Sequence, residues 1–153
     1  MERHPVLEAL RRSTDVCACA ALRRATRIAT ALYDRRLEPS GLTSAQFSLM
    51  AALYYAGKIP MKQLASRLVM DRTSLTRTLA PLARRGFVEI ATNPEDGRVR
   101  LVQITARGLE ILVSALPLWQ EAQTSMESEL GEAGWGQLRS SLQRAVEAAR
   151  AAL

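Results

Sequence analysis

Histidine and cysteine are nearly missing from this 153-residue chain: one His at position 4, and two Cys at positions 17 and 19. A four-ligand zinc site of the usual Cys/His kind cannot be assembled from His4, Cys17 and Cys19. A histidine-based triad would have only His4, close to the start of the chain. No phosphate-cradling glycine loop, metal cluster or pair of carboxylates stands in a plausible site. These absences disfavour a small hydrolase or transferase, and neither enzyme activity nor a cofactor is expected. No apolar run approaches the roughly 20 residues of a membrane span. The opening Met1-Glu2-Arg3-His4-Pro5 lacks the apolar core of a signal peptide, so a soluble, cytoplasmic protein without a membrane partner is expected.

What is present is one domain's worth of material, 48% hydrophobic and 24% charged, enough to bury a core. The formal charge of +6 is unevenly spread. Residues 1–57 hold 8 Lys or Arg against 5 Asp or Glu (+3), residues 58–107 hold 10 against 4 (+6), and residues 108–153 hold 3 against 6 (−3). A basic excess in the middle of a chain is often just solvated surface. Here it coincides with a pattern suited to DNA, where phosphate neutralisation supplies most non-specific affinity.

The periodicity is helical except for one hairpin. A first helix over about 15–37 carries Leu22, Ala25, Ala29, Leu32 and Arg36 at helical spacing, with Arg23, Arg24, Arg27 and Arg35 largely off that stripe. Pro39-Ser40-Gly41 ends it. Thr43 and Gln46 have capping-box spacing, and Leu42 with Phe47 forms a hydrophobic staple, so a second helix runs over about 44–55. Gly57 closes it, Pro60 opens a short third helix to Leu68, and Val69-Met70 turns into Asp71. Asp71 caps a fourth helix, about 72–85, that stops at Gly86. Leu75, Leu79 and Leu82 give that helix a core face. Its other face offers Arg72, Thr73, Ser74, Thr76 and Arg77, cations and short hydroxyls of the kind that reach phosphates and base edges in a major groove. Pro81 removes the bond to the Arg77 carbonyl and should bend the helix beyond that surface.

Phe87 to Ile90 and Arg100 to Ile104 alternate as half-buried strands, with the turn-rich stretch 92–99 between them. Arg98 near the hairpin tip can enter a minor groove, and Arg100 joins the basic surface. Asp96 is placed to hold the loop or to pair with an Arg of the fourth helix. Thr105 can cap a fifth helix to about Leu130, kinked near Pro117, and Gly131 separates it from a sixth. Leu109, Leu112, Val113 and Leu116, then Leu138, Leu142, Val146 and Ala149, form apolar stripes, to be split between the subunit's own core and a partner. The expected class is mainly α with a small β-hairpin wing: a winged helix-turn-helix.

In this order of elements the chain resembles the MarR family of bacterial transcription regulators. The resemblance rests on Gly41-Leu42-Thr43 with Gln46, Leu64-Ala65, Asp71 with Leu75-Thr76-Arg77, Arg85-Gly86-Phe87-Val88, Asn93-Pro94-Glu95-Asp96-Gly97-Arg98, and Leu101 to Thr105 with Gly108. It implies a homodimer: a DNA-binding lobe at about 43–105 on a base of helices from about 1–40 and 106–153. It also implies double-stranded DNA as partner, an inverted-repeat operator, and a repressor released by a small, often aromatic or phenolic, anion.

For the effector cleft that the resemblance implies, Cys19, Arg23, Phe47, Met50 and Trp119 are candidates, since a cation and aromatic faces suit an aromatic acid; each could equally be core or surface. The family's hydroperoxide-sensing branch carries a reactive Cys near the start of helix one, hydrogen-bonded to a Tyr fourteen residues later. Cys19 and Tyr33 match that spacing, but the position of that branch's second tyrosine falls at Ser44. A thiol switch at Cys19 is therefore one alternative. A winged helix that binds protein instead of DNA is another. Cys17 and Cys19 point about 200° apart on a helix and cannot easily bridge without unwinding it.

Overall fold

Local capping chemistry sets most element boundaries. The computed structural model describes residues 17–152, so His4 and the expected helix start at Asp15 lie outside the described residues. Helix α1 spans Ala18–Leu37, after an extended Cys17. It stops in a single 3-10 turn, Glu38–Ser40, with Pro39 inside and Gly41 beyond it at φ 67°, a left-handed position where glycine has no steric penalty. The Ser40 hydroxyl donates to the Leu37 carbonyl (2.6 Å) and accepts from the Leu42 amide (3.2 Å).

Helix α2, Ser44–Ala56, opens with the expected capping box: the Gln46 amide donates to Thr43 Oγ1, and the Thr43 amide to Gln46 Oε1. Asp34 of α1 adds a further acceptor, taking the Ser44 amide at 2.6 Å, and so ties the end of one helix to the start of the next. Leu42 and Phe47 are both buried, as a staple requires.

The segment after Gly57 departs from expectation. Pro60 stands at the opening of the third helix as its N-cap, but it also belongs to a two-residue strand, β1, Ile59–Pro60, and α3 spans Met61–Arg67. Proline has no amide to donate, which suits an edge strand. Helix α3 ends in a Schellman turn: the Met70 amide donates to the Ala65 carbonyl and the Val69 amide to that of Ser66. Val69 occupies the left-handed position at φ 52°, where a β-branched residue costs about 1 kcal/mol or more.

Helix α4 spans Arg72–Arg84 and continues through Pro81. Gly86 at φ 72° leads into β2, Val88–Thr92, which starts one residue later than expected and runs two further. Strand β3, Arg100–Ile104, is central in an antiparallel sheet ordered β1-β3-β2, with Ile59 opposite Val102 and Thr92 opposite Arg100. The hydroxyl of Thr105 accepts from the Gly108 amide and so caps α5, Ala106–Ala151. Its backbone stays helical through Pro117; the one departure is Gly131 (φ 68°, ψ 164°), dividing limbs 106–130 and 132–151.

The core gathers Leu37, Met50, Leu53, Leu64, Leu75, Leu79, Leu82 and Val102, all fully buried, with Leu112 and Ala115 of α5 closing one side. Burying one such side chain contributes roughly 1.5–3 kcal/mol. The α1 stripe is only half used: Ala29 and Leu32 are partly covered, while Leu22, Ala25 and Arg36 remain exposed. Ile28, Leu130, Leu142 and Val146 are likewise exposed.

Candidate nucleic-acid interface

Asp71 shapes the start of α4. Its carboxylate accepts from both the amide (2.9 Å) and the hydroxyl (2.6 Å) of Ser74. The Ser74 hydroxyl, then the backbone amides, hold the Asp71 carboxyl below its usual range. This chemistry corrects part of the expected reading surface, because the Ser74 donor is spent on the cap. Thr76 is similarly engaged, donating to the Arg72 carbonyl at 2.8 Å. Arg72, Thr73 and Arg77 are exposed, and their side chains have no hydrogen-bond partner among the described residues.

The wing is built around Asp96. Its Oδ1 accepts from the Arg98 amide (3.0 Å) and its carbonyl from the Val99 amide (2.9 Å), while Asn93 Oδ1 accepts from the Glu95 amide. Asp96 thus holds the loop, and no ion pair joins it to an Arg of α4 among the described residues. Arg98 is left exposed at the tip. Arg100 lies against its cross-strand neighbour, donating to Thr92 Oγ1 at 2.8 Å.

Between the wing and α3 lies a concavity of about 730 Å³ that brings Arg72, Arg98 and Arg100 together over Pro60, Met61, Met70 and Leu75. Lys62, Gln63 and Ser66 also line it, and these were missed in the sequence. Their signal was available: Met61, Leu64, Ala65 and Leu68 form the inner stripe of α3, leaving 62, 63 and 66 outward. Thr73, Ser74, Thr76 and Arg77 are not in this lining.

A second cleft, about 330 Å³, lies where α1, α2 and α5 meet, lined by Thr26, Ala29, Thr30, Tyr33, Ser44, Ser48 and Trp119. Of the expected effector residues it contains Tyr33 and Trp119. Met50 is excluded because it is fully buried in the core. Phe47 is buried too, its ring stacked on Trp119 with centroids 5.8 Å apart; it contributes to a separate apolar groove with Tyr54, Tyr55 and Val113. Cys19 and Arg23 are exposed on α1, outside the cleft lining. Fourteen residues of helix separate Cys19 from Tyr33 by about 21 Å, so no hydrogen bond joins them within a protomer. The Tyr33 hydroxyl instead donates to Gln123 Oε1 (2.6 Å), and Gln123 donates to Glu127 (2.8 Å). Burial, and then the charge of Glu127, raises the Tyr33 pKa.

A family model described as the MarR family matches residues 42–99. The fold is similar to that of the Mycobacterium tuberculosis transcriptional regulator MosR in complex with DNA, with TM-score 0.81 and 37% identity over 89% of this chain and 98% of that one. It is also similar to a mutant of Escherichia coli MarR complexed with operator DNA, with TM-score 0.77 and 26% identity over 86% and 96% of the two chains. Among curated proteins, the multiple antibiotic resistance protein MarR of E. coli is 36% identical over 80 residues, 52% of this chain and 56% of its own. The chain spans about half the length of the curated relatives it matches. With matched motifs in the lobe and an agreeing fold along most of its length, the chain belongs to the MarR family.

Proposed function

We propose that this protein is a transcriptional regulator that binds double-stranded DNA as a homodimer, gripping an inverted-repeat operator and acting as a repressor. Residues of about 43–105 form the DNA lobe, and helices within about 1–40 and 106–153 form the dimer base. The observation that carries the reading is the gathering of Lys62, Arg72, Arg98 and Arg100 around one concavity beside the exposed face of α4. Cations so placed neutralise phosphates, Arg98 reaches into the minor groove, and Arg72, Thr73 and Arg77 face base edges. Relatives whose structures hold DNA add support.

Release follows binding of a small molecule in the cleft between Tyr33 and Trp119, with Arg23 one turn beyond Thr26 on the same face of α1 to meet a carboxylate. Cys17 and Cys19 are both free and exposed, which favours a thiol switch as a second reading. A gel shift with DNA from upstream of the protein's own gene, run at two salt concentrations, tests the assignment. Binding should fall steeply with salt, and Arg98→Ala should weaken it on all sequences and flatten the slope by about one unit. The absence of a competable shift at either salt concentration would refute it. Loss of the shift with an aromatic acid, or with a hydroperoxide reversed by dithiothreitol, separates the two switches.

A further inference from the structure

The chain passes between the base helices and the winged lobe twice, once from α1 through the 38–43 turn into α2 and once from β3 into α5. Both crossings meet at the C-terminal end of α4. Arg85, the C-cap of α4, donates from Nη1 to the Gly41 carbonyl at 2.6 Å, in the first crossing. Its guanidinium also lies 4.4 Å from the centroid of the Phe87 ring, and Arg107, in the first turn of α5, approaches the same ring at 5.6 Å.

The second crossing is bonded to that same corner. Phe87 accepts the Thr105 amide (3.0 Å), the Thr105 hydroxyl donates to the Gly86 carbonyl (2.6 Å), and Gly108 packs against the Phe87 carbonyl. Gly41 itself leaves room for the guanidinium: a Cβ there would stand 3.1 Å from Arg85 Nη2. The residue that ends the helix bearing the reading face is therefore bonded to the strut from α1 and shares an aromatic ring with α5.

We infer that Arg85 is a positioning residue that fixes the angle between the DNA lobe and the dimer base, and thereby the half-site spacing the dimer accepts. The inference rests on the proposed binding of an inverted repeat by a homodimer. Arg85 is half-buried and makes no part of the groove lined by Lys62, Arg72 and Arg98. Its effect on DNA comes through lobe orientation. Each base pair added between half-sites moves them by about 3.4 Å and turns them by about 34°, so a rigid corner makes the dimer intolerant of changed spacing and a loosened one tolerant.

The experiment measures affinity for operators with one base pair inserted or deleted between half-sites, for wild type, Arg85→Ala, Arg85→Gln and Arg85→Lys. Arg85→Gln serves if the alanine variant does not fold, since it keeps a donor for Gly41 and loses the cation over Phe87. Wild type should lose about tenfold or more on each altered spacing. The Ala or Gln variant should lose no more than about threefold, with the salt slope unchanged because the phosphate contacts persist. Arg85→Lys should restore discrimination, since an ammonium can serve both partners. Equal loss at every spacing, or discrimination as sharp as wild type, overturns the inference alone. Failure of wild type to bind an inverted repeat at any spacing overturns the proposed function and the inference with it.

Discussion

A Cβ on Gly108 would overlap the Phe87 carbonyl oxygen and crowd Ile104 Cγ1 at 2.9 Å. Backbone cannot yield as a flexible side chain can, and the Thr105 amide bonds that same oxygen. Gly108→Ala should therefore destabilise the fold by about 3 kcal/mol, read as a lower denaturant midpoint with an unchanged slope. At this scale the sequence declared where but not why. Gly108 was visible as part of a motif, but the reason for it lies 21 residues away in Phe87. Met50 and Phe47 show the same limit. An apolar or aromatic side chain on a helix suits a ligand cleft and a core equally, and only packing against Leu53, Leu64 and Trp119 decides for the core.

Among the elements, α4 allows two predictions. The carboxyl of Asp71 titrates below the usual carboxylate range because Ser74 stabilises its charged form. A depressed folded pKa means its contribution is present above the unfolded value and is lost as pH falls through the folded value. Acid titration followed by amide exchange at Ser74 should show the helix start fraying at low pH in wild type, and already frayed at neutral pH in Asp71→Ala. The reading surface divides as well. Thr73→Val should change base preference in a selection from random operators. Thr76→Val should change it less, because the Thr76 hydroxyl is bonded to the Arg72 carbonyl. Equal shifts would show that the hydroxyl leaves its helix bond on DNA.

The same scale shows which elements can be read from one segment. The starts of α2, α4 and α5 were legible because Thr43 with Gln46, Asp71 and Thr105 act within one helical turn. Strand β1 was not, because Ile59–Pro60 is a strand only by pairing with Val102 and Leu101, some forty residues on. The interface followed suit: Arg98 announced itself in a turn-rich hairpin, whereas Lys62 joins Arg98 only after the sheet brings α3 beside the wing.

For the whole molecule, the exposed apolar face of α1 and the second limb of α5 set the terms. Ile28 is 75% exposed on a helix where Leu22 and Ala25 are exposed as well and only Leu37, at its end, is fully buried, and a helix of that length gains most of its stability from packing. The proposed homodimer covers this face. Ile28→Glu should shift sedimentation towards monomer at micromolar concentration and cut operator affinity by tenfold or more, since a monomer engages one half-site. A dimer of unchanged stability would place the interface elsewhere.

Strand β1 has a consequence out of proportion to its length. It covers the outer backbone edge of β3 at Leu101 and Val102, where unpaired amides and carbonyls would otherwise offer a template for another chain. The sheet edge it presents in exchange includes a proline that cannot donate. A lobe fragment beginning at Met61 would keep both helices of the reading unit and the wing, but would carry an open β3 edge. Such a fragment invites aggregation, so an excised lobe must begin before Ile59.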